Sequence, residues 1–270
     1  MTLGIITDSS AGLTEELVSQ HHVTVLPITV HLADDDVRDD DPGAAGRIYD
    51  AISRREVVKS SAPIAPDYLN AIETSDADEI LIVTPAVEFT TMFRHAEIAA
   101  ETADKRCAVL DSRTAAAAQG LVVATASEEA LSGRKLDEVV ELAEHAARRV
   151  ELVAKLESTG PLLASGRLPE AAAGVVQRMD LCPVFRFTYG TIVPCGIAQS
   201  NASALKRVAR EWKRLEGPDA VRSVVFHAAA PDEANDLRSH LGGNEPVTGL
   251  SPSLGIHTGA GLVGVAWMRN

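Results

Sequence analysis

Aromatic side chains are scarce in this chain, with five Phe, three Tyr and two Trp among 270 residues. A core must therefore come from small aliphatic side chains, and a hydrophobic content of 46% over this length is enough to bury one without staples. Basic residues are also short: 25 Lys and Arg face 38 Asp and Glu, for a net charge of −13. Nucleic acid and anionic membrane are excluded as steady partners, because both would repel such a surface. Only three cysteines occur, Cys107, Cys182 and Cys195, far apart and without a C-x-x-C pair. That argues against a disulfide framework or a thiolate zinc site and fits a reducing cytoplasm. Long apolar runs are missing too. Pro246 to Met268 has no formal charge, but prolines and glycines break it, so stable membrane insertion is not expected. No basic stretch followed by an apolar run opens the chain, so no export signal is expected either.

What is present is a strand-and-helix grammar. Leu3 to Val18 (LGIITDSSAGLTEELV) reads as a short buried strand, a polar turn at Asp8, Ser9 and Ser10, and a helix capped by Thr14. Ligands of open α/β sheets gather at that carboxyl end of the strands. The pattern returns at Cys107 to Arg113 (CAVLDSR), and two such strand ends can lie side by side. Val23 to Leu32 reads as extended, and its embedded Pro27 suggests an edge or interrupted strand. Glu56 to Pro66 reads as a loop that its two prolines keep extended, and Glu79 to Thr84 as a strand. Helices are expected over Ala44 to Arg55, Phe93 to Ala103, Thr114 to Leu131 and Leu136 to Val150. This alternation implies a parallel sheet with helices on both faces over residues 1–150. From 151 to 270 the pattern shifts to a mixed α/β sheet, with a polar glycine turn at Leu163 to Arg167, a helix over Glu170 to Met179, a hairpin at Tyr189-Gly190, a helix capped by Asn201 and another from Pro231 to Leu241. The expected fold class is thus two-domain α/β.

Candidate chemistry sits in polar turns: Asp8-Ser9-Ser10, Lys59-Ser60-Ser61-Ala62-Pro63, Glu88-Phe89-Thr90-Thr91 and His257-Thr258-Gly259-Ala260-Gly261. Hydroxyls and backbone N–H groups at strand ends suit a carboxylate or phosphate. The acidic run Asp34 to Asp41 lacks EF-hand spacing and reads as a solvated face, and H-E-x-x-H is absent, so no metal is expected. Gly259 to Gly264 matches the letters of a dinucleotide loop but runs into a strand, the wrong context. A serine with Asp8 and His257 would make a hydrolase or phosphotransferase, although no G-x-S-x-G elbow supports it. An interaction protein without chemistry is the remaining class.

In order along the chain, these turns resemble the DegV family of bacterial fatty acid binding proteins, the acyl carrier subunits of fatty acid kinase. IITDSS resembles the family's opening strand, and Lys59 to Pro63 its threonine-serine-glutamine-proline loop. Asp111-Ser112, Gly166-Arg167 and His257 to Gly261 resemble its three later turns. The resemblance implies a carrier that is not itself an enzyme: a long-chain fatty acid in a buried tunnel, no cofactor, and a separate kinase catalytic subunit that phosphorylates the carboxylate. It implies that Ser60 or Ser61 and Thr90 or Thr91 hold the head group. Asp8, Ser9 and Ser10 would line the mouth, and Arg167 and His257 would stand where the acyl phosphate forms. The chain departs from the pattern in three places. Ala62 replaces a glutamine, Phe89 to Phe93 lacks a glycine, and Gln199 replaces an arginine of the kinase-facing loop.

Overall fold

The computed structural model describes residues 2–157 and 181–270. Its first half runs β1 (Leu3–Asp8), α1 (Glu15–His21), β2 (Val23–Leu26), β3 (Thr29–His31), β4 (Asp36–Arg38), α2 (Ala44–Ser53), β5 (Lys59–Ser61), α3 (Ala65–Thr74), β6 (Glu79–Thr84), α4 (Met92–Thr102), β7 (Arg106–Asp111), α5 (Ala116–Leu131) and α6 (Leu136–Arg149). Its second half runs β8 (Val150–Lys155), β9 (Cys182–Thr188), β10 (Thr191–Ala198), α7 (Asn201–Arg214), β11 (Arg222–His227), α8 (Pro231–Leu241), β12 (Val247–Gly249), α9 (Pro252–Thr258) and β13 (Val263–Met268).

Among the described residues the strands form three sheets. The first is parallel throughout, in the order β2-β1-β6-β7. β6 (EILIVT) is buried along its whole length, as a strand covered on both faces must be. On one face α3 and α4 pack over Ile6, Ile80 and Ile82; on the other, α5 and α6 cover Ile5, Leu81 and Val83. The second sheet is mixed, in the order β10-β9-β8-β13-β11-β12, with only β11 and β12 parallel. The third is a small antiparallel sheet, β4-β3-β5.

The alanine-rich α5 explains how the two large sheets come together. Almost every residue from Ala116 to Ser127 is buried, which marks a helix with protein on all sides. Small side chains allow close approach, so α5 touches β1 on one side and β8, β11 and β13 on the other. One apolar core therefore runs from Ile5 and Leu81 through α5 to Leu152, Ala154 and Phe226. Gly120 marks a close approach of α5 to the turn after β1, because a side chain there would strike the Ala11 carbonyl.

Val23 to Leu32 is interrupted at Pro27, which ends β2 before the chain enters a different sheet as β3. Two sequence expectations are corrected. The Asp-Ser ends of β1 and β7 are not neighbours, since β6 lies between them. Ser200, not Asn201, caps α7, accepting from Ser203 N at 3.3 Å. Asn201 is thereby released to accept from the buried Lys155 ammonium at 3.0 Å. The expected turn at Leu163 to Arg167 and helix at Glu170 to Met179 lie outside the described residues.

Candidate functional site

A cavity of about 400 Å³ lies between the β8–β11 face of the mixed sheet and the carboxyl ends of the parallel strands. That is the size of a small-molecule site. The sheet side is apolar because strand alternation sends every second residue inward: Leu152 and Ala154 from β8, Phe185 and Phe187 from β9. Phe226 of β11 completes this wall, and the Phe89 ring meets Phe187 with centroids 5.0 Å apart.

The opposite end is polar. Ser10, Ser60, Thr90, Thr91, Ser253, His257 and Thr258 all line it. Ser60 is the central residue of β5, and its hydroxyl lies 3.0 Å from Nε2 of His257. Ser61, on the other face of the strand, turns away to His31 at 2.6 Å and is absent from the lining. Thr90 and Thr91 both reach the cavity from the turn entering α4, where Thr90 Oγ1 accepts from Met92 N at 3.3 Å. His257 stands in the last turn of α9, a helix that glycines disguised as a loop. Gly255 is required there, because a Cβ would lie 2.5 Å from Cε1 of Tyr49 on α2.

Two buried carboxylates brace this end from behind. Asp8 accepts from Ser10 N at 3.0 Å, from the Ser10 hydroxyl, and from Gln119 Nε2 at 2.9 Å. Burial pushes the Asp8 carboxyl above the usual carboxylate range, against the lowering effect of the Ser10 and Gln119 hydrogen bonds. Asp39 accepts from Ser9 at 2.6 Å, Ser253 at 2.7 Å, Ile28 N at 2.9 Å and the Ser251 hydroxyl. The acidic run is therefore not simply a solvated face. A period-two signal was present in it, since Val37 and Asp39 are buried while Arg38 and Asp40 are exposed. Gln119, a lone amide in an alanine run, also escaped the sequence reading.

Of the predicted residues, Ser10, Ser60, Thr90, Thr91 and His257 share the cavity wall. Asp8 and Ser9 lie behind it, and Ser61 faces elsewhere. Asp8 accepts from Ser10 and Gln119 behind the wall, while Ser60 and His257 pair at its surface. Gln199 is exposed in the turn between β10 and α7 and does not line the cavity. Arg167 lies outside the described residues. Among the described residues no cluster of metal-ligating side chains occurs, and no helix is long and apolar enough to cross a membrane.

Comparison with known proteins gives a consistent relationship. The DegV family model matches residues 2–270. A DegV domain-containing protein of Mycobacterium bovis, Mb2440c, is 28% identical over 274 residues, spanning 98% of this chain and 96% of that protein. The solved structure of a fatty-acid-binding DegV family protein from Thermus thermophilus has a TM-score of 0.89 at 23% identity, with 100% of both chains covered. A DegV family protein from Eubacterium eligens loaded with heptadecanoic acid has a TM-score of 0.85 at 15% identity, again with 100% of both chains covered. With its whole length matched in sequence and in fold, the chain belongs to the DegV family.

Proposed function

We propose that this protein binds a long-chain fatty acid in the cavity and presents its carboxylate to a separate kinase for acyl phosphate formation. The observation that carries the reading is the cavity's polarity: aliphatic and aromatic side chains at one end, hydroxyls and His257 at the other. Each buried methylene contributes roughly 0.8 kcal/mol, so the tail supplies most of the affinity. Ser60, Thr90 and Thr91 orient the head group, at about 0.5–1.5 kcal/mol per neutral hydrogen bond. The protein is a carrier rather than a catalyst in this reading, acts without a cofactor, and works in the cytoplasm. The fatty-acid-binding relatives of the same fold support the lipid half of it. The kinase half rests on the family resemblance and on His257 at the polar end.

The test is displacement of a fluorescent fatty acid from wild type, Ser60→Ala and Thr90→Ala, followed by acyl phosphate formation with a kinase of the family. Binding that weakens in the variants supports the head-group assignment; unchanged binding in both places the carboxylate elsewhere. Exposed Gln199 provides a second handle. A neutral amide lacks the fixed charge of the family's arginine, so Gln199→Arg is expected to raise the phosphotransfer rate without changing fatty acid affinity. The Ser60–His257 pair at 3.0 Å supports one competing reading, a hydrolase with Ser60 as nucleophile. Turnover of long-chain acyl esters by the chain alone, abolished in Ser60→Ala, would replace the carrier reading.

A further inference from the structure

Ser61 lies on the face of β5 opposite to the cavity-lining Ser60, and its surroundings are those of a nucleophile. Its Oγ is 2.6 Å from His31 Nε2, and His31 Nδ1 is 2.7 Å from Asp36 Oδ1. A carboxylate only accepts hydrogen bonds, so the Asp36 contact fixes the proton on Nδ1. The lone pair of Nε2 then points at the Ser61 hydroxyl. Serine to Nε2 and Nδ1–H to carboxylate is the connectivity of a Ser-His-Asp triad.

Three adjacent strands hold the arrangement. His31 is on the central strand β3, cross-strand from Asp36 of β4, with Ser61 on the other neighbour, β5. Solvent reaches all three, since the His31 side chain is 37% exposed, that of Asp36 65%, and Ser61 is exposed. β5 is also an edge strand of its sheet. Edge strands carry backbone N–H groups that point out of the ladder, the type of donor that stabilises an oxyanion.

We propose that Ser61, His31 and Asp36 form a second site on the outer face of the small sheet, a serine nucleophile acting on activated esters of short acyl groups. An open surface offers a substrate tail little to bind, which restricts the site to esters with good leaving groups. Ser61 Oγ attacks the carbonyl carbon while its proton passes to His31 Nε2. The carbon–oxygen bond to the leaving alcohol then breaks, and His31 returns the proton to that oxygen. Water then attacks the acyl carbon as His31 takes its proton, the carbon–oxygen bond to Ser61 breaks, and His31 returns the proton to Ser61 Oγ as the acid leaves. Asp36 is a positioning residue that holds the imidazole tautomer.

The test uses the full-length chain with a fluorophosphonate probe and an aryl acetate, and the adduct is mapped by peptide mass spectrometry. The expected result is one adduct, on Ser61, absent in Ser61→Ala and formed at least about 100-fold more slowly in His31→Ala, the usual scale of general-base assistance. His31→Gln, whose neutral amide can still hydrogen-bond at that position but cannot act as a base, should be equally slow and covers the case in which His31→Ala fails to fold. Asp36→Asn should slow labelling, and Asp36→Glu should restore part of it, a rescue that a purely structural contact would not give. No adduct on Ser61, or labelling of both His31→Ala and His31→Gln at the wild-type rate, overturns the proposal. An adduct on Ser60 alone also overturns it and points to the cavity as the reactive site.

Discussion

The two Asp-Ser strand ends share a sequence pattern but occupy different environments. Asp8 is 1% exposed and held only by neutral donors, the Ser10 backbone and hydroxyl and the Gln119 amide. Asp111 is partly exposed, accepts from Arg113 N at 2.8 Å and lies 3.7 Å from the Arg113 guanidinium. Arg113 also pairs with Glu88 at 2.8 Å and sits 5.2 Å over the Tyr189 ring. Through Ser10 the first turn reaches the cavity, while the second opens on a separate cleft with Arg148 and Tyr189. Strand-end grammar thus finds the binding edge of a sheet, but sheet order and the covering chain decide which end meets a ligand.

That contrast is open to attack by mutation. Asp8→Ala leaves the buried Ser10 and Gln119 donors without their acceptor and is expected to cost about 2 kcal/mol of stability. Asp111→Ala, at a partly exposed ion pair, should cost less than about 1 kcal/mol. Urea denaturation midpoints of the two variants measure the difference, and equal losses would erase it.

A pH series sharpens the comparison further. Burial raises the Asp8 carboxyl above its unfolded value of 3.8, so between the two values the native state holds more protons than the unfolded state. The stability Asp8 contributes is then complete below pH 3.8 and lost as pH rises through the folded value. Asp8→Asn should therefore gain on wild type as pH rises from 3.8. Asp111 is also raised by burial, but the backbone hydrogen bond and charge of Arg113 act against the shift. Asp111→Asn should show the same trend more weakly, as judged from denaturation curves at stepped pH. A larger trend for Asp111→Asn would reverse the assignment.

The smallest effect concerns the ligand. Ser60→Ala should weaken fatty acid binding by about 0.5–1.5 kcal/mol, roughly two- to tenfold. Asp111→Ala, away from the cavity, should leave binding within error. Isothermal titration of both variants checks this, and a loss confined to Asp111→Ala would move the site to the second cleft.

Regular elements were legible wherever period and punctuation agreed. β6 and α8 fall on their predicted residues, and Thr14 caps α1 as read, accepting from Leu17 N at 3.2 Å. The failures share a cause, in that local signals were overridden by tertiary contacts. Pro66 was read as keeping a loop extended, yet a proline in the first turn starts α3. Pro252 and Gly255 hid α9, which forms by packing on α2. The site was legible as a set of hydroxyl turns. Its bracing by Asp39 and Gln119 was not, because burial of one carboxylate in an acidic run depends on the serines that fold over it, Ser251 and Ser253, more than 200 residues away in the chain.

Native mass spectrometry of the purified protein, before and after filling the cavity, tests the central claim most directly. Leu254 lines the cavity from α9 and is only partly buried, so Leu254→Trp occupies the space with little strain on the core. Wild type incubated with a long-chain fatty acid should gain one ligand mass, and Leu254→Trp should bind far less while its unfolding midpoint stays close to wild type. A wild type that gains no mass, or a folded Leu254→Trp that binds as much as wild type, would contradict the assignment of this cavity as the fatty acid site.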